Sequence, residues 1–133
     1  MASAREVVGD RLEGIVLFGS QARGEARENS DVDLLVVVAK DVELSRELYR
    51  QWDLLGMDRR VSPHFVHEPE SVQDAGSVWY ETALDGVIVY ERDRSVTQFL
   101  QAVRRAIADG RLRRRSAHGH PYWVKGTEPA NAE

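Results

Sequence analysis

Two apolar runs punctuate an otherwise mixed sequence. Gly14-Ile15-Val16-Leu17-Phe18 is apolar throughout and stops at Gly19, which predicts a buried strand. Asp31 to Val38 reads DVDLLVVV, is rich in β-branched residues, and after Asp33 is apolar on both faces. That pattern predicts a central strand covered on both sides. Val61 to Val66 predicts a third strand, in which Pro63 lacks a backbone donor and so demands an edge or a bulge. Gly86 opens a fourth, Val87 to Tyr90.

Helical spacing fills the intervals. Ser3 and Glu6 form a capping box for a short first helix ending near Gly9 to Leu12. Ser20 to Arg23 suits a short helix ended by Gly24. Leu44, Leu48, Trp52 and Leu55 recur at helical spacing behind a cap at Asp41, with Gly56 as the stop. Ser71 to Leu84 reads as helix with a break at Gly76. Val96, Phe99, Leu100, Val103 and Ile107 share one face behind a capping box of Ser95 and Gln98, and Gly110 ends that helix. From Ser116 onward no period is clear. The order predicts one α/β (α+β) domain over residues 1–110, with about four strands and helices packed against them. Residues 111–133 are expected to form a basic, partly disordered tail.

A chain of 133 residues fits one domain. It has no cysteine, so any metal must use oxygen or imidazole ligands. The longest apolar run, Leu34 to Ala39, is too short to span a bilayer, and the N-terminus lacks the apolar core of a signal peptide. A cytoplasmic location is the default expectation. The net charge of −4 is uneven: residues 1–103 carry −8 and residues 104–125 carry +6. The basic segment could serve nucleic acid, a phosphate-bearing ligand or an acidic partner, but a solvated helix end ranks first. Nucleic-acid binding ranks lowest, and would show affinity falling steeply with salt.

The candidate chemistry lies between the first two strands. A strand ending at Gly19, followed by a helix starting at Ser20, offers free backbone N–H groups and a positive dipole end to a phosphate. Asp31 and Asp33, two apart on a strand, point to one face. Two carboxylates side by side repel unless a cation sits between them, and Mg²⁺ takes carboxylate and phosphate oxygens together. Either feature alone is more often a plain turn or cap.

Together, Gly19-Ser20-Gln21-Ala22-Arg23-Gly24 and Ser30-Asp31-Val32-Asp33-Leu34 resemble the signature of the polymerase-β-like nucleotidyltransferase superfamily, nearest to its minimal nucleotidyltransferases. The resemblance implies a mixed sheet with helices packed against it and Mg²⁺-dependent transfer of a nucleoside monophosphate, AMP from ATP, to a hydroxyl. By motif position, Gly19 and Ser20 would bind the triphosphate, and Asp31 and Asp33 would hold Mg²⁺. Arg23 also holds a motif position, although an ion pair to the acidic strand ranks above phosphate contact for it. Minimal nucleotidyltransferases resemble the antitoxin partners of small helical HEPN toxins, which implies a hydroxyl on such a partner as acceptor.

The match stops at the third strand. Catalytic members carry a third carboxylate there, and Arg60-Val61-Ser62-Pro63-His64-Phe65 places Ser62 at that position. His64 shares a face with Ser62 and could act as base or ligand. Asp58 or Glu68 could reach in from the strand ends, or a partner chain could supply the acid. The competing expectation is a nucleotide-binding or partner-masking module with little or no catalysis. His118 and His120 are expected in loop contacts, Trp52, Trp79 and Tyr80 in packing, and Tyr122 and Trp123 in an anchor for the tail.

Overall fold

The computed structural model describes residues 2–19, 32–55 and 60–125. Ser20, Arg23, Gly24 and Asp31, with Gly56 and Asp58, lie outside the described residues. The elements are α1 (Ala2–Val8), β1 (Leu12–Phe18), β2 (Val32–Val38), α2 (Arg46–Leu54), β3 (Val61–His67), α3 (Ser77–Asp85), β4 (Val87–Glu91), α4 (Ser95–Ala108), β5 (Leu112–Ala117) and β6 (His120–Lys125). Short 3₁₀ turns at Gly9–Arg11 and Val72–Asp74 precede β1 and α3.

Strands β3-β2-β1-β4 form a mixed four-stranded sheet. β1 runs antiparallel to β2 and β4, and β2 runs parallel to β3. As the apolar run predicts, β2 is covered on both sides. Leu35 and Val37 join β1 Val16 beneath α3 and α4, with Trp79, Tyr80, Leu100 and Val103. Val36 and Val38 join Ile15, Leu12 and Phe65 beneath α1 and α2, with Ala4, Leu48 and Trp52. Trp52, Trp79 and Tyr80 are core residues, as expected.

β3 is an edge strand, which answers the question Pro63 posed. Phe65 N–H, on the strand's outward side, donates to Tyr49 Oη at 3.2 Å. Pro63, two residues earlier, also falls on the outward side by alternation and has no N–H to leave unpaired. Both positions blunt an edge that would otherwise invite pairing with another chain.

Three helix starts differ from the expectation. α2 begins at Arg46 with Ser45 at the cap position, and Asp41 pairs with Arg11 at 2.8 Å on the surface. α1 begins at Ala2, ahead of Ser3. In α4, Ser95 is the first helical residue, and the Asp93 carboxylate accepts its N–H at 2.8 Å.

The larger difference is at the C-terminus. Instead of an aperiodic segment, residues 112–125 form an antiparallel hairpin. Its turn is His118-Gly119, with φ 53° and 80°, the two positive values of a type I′ turn. Trp123 anchors it: the indole N–H donates to Glu81 Oε2 at 2.6 Å, and the ring lies 5.3 Å from Tyr80. Arg114 donates two bonds of 3.0 Å to the same carboxylate, which raises the arginine's pKa above its ordinary value. Leu112 is buried in the core under α4. No helix among the described residues is long and apolar enough to cross a membrane.

Candidate active site at the start of β2

β1 ends where β2 begins, and this places Gly19 against Asp33. The antiparallel register pairs Phe18 with Asp33. Gly19 turns the chain there with φ +82°, a left-handed value that a residue with a side chain adopts at a cost. The contact is close enough to be selective on size as well. A Cβ on Gly19 would stand 2.6 Å from Asp33 Oδ2. One carboxylate oxygen therefore lies against the bend at Gly19, where the family resemblance implies a triphosphate.

The parallel pairing of β2 with β3 supplies the neighbours. Ser62 sits directly beside Asp33 and His64 beside Leu35. Alternation puts Asp33, Ser62 and His64 on one face of the sheet, the face under α3 and α4. His64 Nε2 stands 3.5 Å from Asp33 Oδ1. That is the outer limit of a hydrogen bond, which makes the contact a weak one. The His64 ring also lies 5.4 Å from Phe18, which holds it over the strand end. Asp33 keeps 31% of its side chain exposed, open to a ligand while touched on two sides.

Of the residues expected here, Gly19, Asp33, Ser62 and His64 come together. Ser20, Arg23 and Asp31 fall outside the described residues, as does Asp58. Glu68 is removed as a substitute acid: it follows His67, which pairs with Val38 at the far end of the sheet. Five residues of strand separate Asp33 from Val38, about 17 Å. The Phe18 contact with His64 leaves no mark in the sequence, because it depends on β1 and β3 flanking β2 in space.

Among the described residues this place holds one partly exposed carboxylate, Asp33, an oxygen ligand of the kind a hard divalent cation takes, and no group of three or more metal-ligating side chains comes together there.

A profile of the nucleotidyltransferase domain family matches residues 3–80, more than half of the chain. The chain belongs to this family. It is 50% identical over 32 residues to a Methanocaldococcus jannaschii protein named "Putative protein adenylyltransferase MJ0141". That match covers 24% of this chain and 32% of the relative, about a third of its length. In structure the nucleotidyltransferase domain resembles a chain from a crystal structure described as a toxin-antitoxin with AMP-PNP. The TM-score is 0.50 at 24% identity, covering 82% of this chain and 92% of that one. The likeness is one of fold, and the mixed sheet with its packed helices is the nucleotidyltransferase fold.

Proposed function

We propose that the protein transfers AMP from ATP to a hydroxyl on a partner protein. The observation that carries this reading is the seating of the Asp33 carboxylate against the left-handed bend at Gly19. Backbone amides at Gly19 and Ser20 would hold the leaving pyrophosphate, with Arg23 nearby in sequence, while Asp31 and Asp33 would hold Mg²⁺. The ion, when bound, supplies charge neutralisation to the phosphates. His64 would be a positioning residue: standing 3.5 Å from Oδ1, it would favour the Asp33 rotamer whose other oxygen faces the bend. The name of the archaeal relative supports adenylyl transfer, and the toxin-antitoxin neighbour with AMP-PNP supports a toxin partner, here read as a small helical HEPN protein.

Ser62 beside Asp33 favours a second reading. With a hydroxyl where a carboxylate would complete the site, the domain would bind Mg-ATP and mask its partner without modifying it. Incubation with α-labelled ATP and the co-expressed, neighbour-encoded helical protein separates the two. Label on the partner that disappears in Asp31→Asn and Asp33→Asn supports transfer. Binding of Mg-ATP with no label on the partner supports the masking module, and no binding of Mg-ATP overturns both.

A further inference from the structure

Two features of the domain take no part in the chemistry at Asp33. The first is a trough of about 460 Å³ at the opposite end of the sheet. Its floor is apolar: Leu44, Val66, Ala75, Val78 and Trp79. Its rim is acidic, with Glu68, Glu70 and Asp74. A second hollow of about 390 Å³ shares Lys40, Glu68 and Pro69 with it and adds Glu13. Among the described residues that line this double rim, Lys40 is the single cation apart from His67, and it is taken up by Glu70 at 3.5 Å. His67 is held by the carbonyl of Val42 at 2.6 Å. An acidic rim repels a triphosphate, so this is not a second nucleotide site.

The second feature is the outer face of the hairpin. Cross-strand partners share a face. Leu112, Arg114 and Ser116 pair with Lys125, Trp123 and Pro121, and this is the face bound to Glu81 and Tyr80. Arg113, Arg115 and Ala117 pair with Val124, Tyr122 and His120 on the other face. There Tyr122 and Val124 are 47% and 40% exposed. Arginine and tyrosine beside an exposed aliphatic side chain are the residue types that anchor protein interfaces. Basic and apolar on one side, acidic and apolar on the other, the two surfaces are complementary in both respects.

They also lie next to each other. Lys125 at the base of β6 stands over the Tyr80 ring, 5.9 Å from its centre. Tyr80 Oη donates to the carbonyls of Val72 and Gln73, and the next two residues, Asp74 and Ala75, line the trough. The hairpin's outer face points away from its own body, so it cannot fill its own trough. We propose that the protein forms a two-fold dimer in which each hairpin's outer face seats in the acidic, apolar-floored trough of the other copy. Two-fold symmetry makes the contact twice, which brings two small patches toward the area a stable dimer needs. The proposal stands independently of nucleotidyl transfer.

Charge swapping tests it. Sedimentation equilibrium of the full chain should give a dimer at low salt whose dissociation constant rises with salt. Arg115→Glu, alone and with Arg113→Glu, and separately Glu68→Lys with Glu70→Lys, should each weaken association by about a hundred-fold or more. An equimolar mixture of the two charge-reversed proteins should restore a dimer containing one of each, since both contacts are then again of opposite sign. Thermal melts and far-UV circular dichroism check that each variant folds. If the double hairpin variant does not fold, Arg115→Glu alone carries the test. A wild-type monomer across the whole concentration range overturns the proposal. So does a dimer indifferent to both reversals, or folded variants that do not recombine.

Discussion

The two parts of β2 face different surroundings. At Asp33 the strand is only partly covered, and its carboxylate meets a glycine bend on one side and an imidazole on the other. From Leu35 to Val38 the same strand is buried on both faces, within 1% exposure. The buried part fixes where the strand lies to within the tolerance of close packing. The open end inherits that position and uses it to hold an acid next to the bend. Activity and stability should therefore separate along this one strand.

Asp33→Asn makes the sharpest cut. Transfer should fall by about a thousand-fold or more, roughly 4 kcal/mol of transition-state stabilisation. The melting temperature should barely move, because partly exposed sites away from the core are usually neutral within about 0.5 kcal/mol. Paired label-transfer and melting measurements check this. Leu35→Ala should do the converse. Truncating a fully buried leucine costs about 2–5 kcal/mol, read in urea unfolding, while transfer per folded molecule stays near wild type. Equal losses of both properties in either variant would erase the distinction.

His64→Ala sharpens it at the border between the two parts. It should lower transfer by about ten- to a hundred-fold, the range for a group that orients a ligand. His64→Gln, which keeps a polar group near Oδ1, should recover part of that. The smaller effects lie away from β2. Glu81→Gln should cost about 1–2 kcal/mol by weakening the charged bonds to Arg114 and Trp123, and hydrogen exchange should quicken in β5 and β6 before the main sheet. Asp93 has a lowered pKa, chiefly from the backbone hydrogen bond of Ser95. Its stabilising effect is then present above the ordinary aspartate range and lost as pH falls through the lowered value. The stability difference from Asp93→Asn should shrink to nothing at acid pH in a series of melts.

Much of the fold was legible in the sequence. Both central strands announce themselves as apolar runs, and Pro63 marks the edge strand that the structure places outermost. The bend at Gly19 and the acid at Asp33 follow from motif spacing. Their direct contact needed the antiparallel register of β1 with β2, which no local pattern states. His64 reaches Asp33 through a parallel pairing across 31 residues of chain, equally invisible to periodicity. The hairpin is not legible by periodicity because both of its faces carry polar residues, so alternation gives no signal. Its inner face is held by Glu81, 42 residues from Trp123. The one local clue was His118-Gly119, since histidine tolerates positive φ better than most residues and glycine accepts it freely.

The seat of the cation and the triphosphate can be read directly by paramagnetic broadening. Mn²⁺ in place of Mg²⁺, added with ATP, broadens amide NMR signals near the metal. Broadening is expected to centre on Phe18, Gly19 and Asp33 and to be lost in Asp33→Asn. Broadening centred instead on Glu68, Glu70 and Asp74, the acidic rim at the other end of the sheet, would contradict this placement.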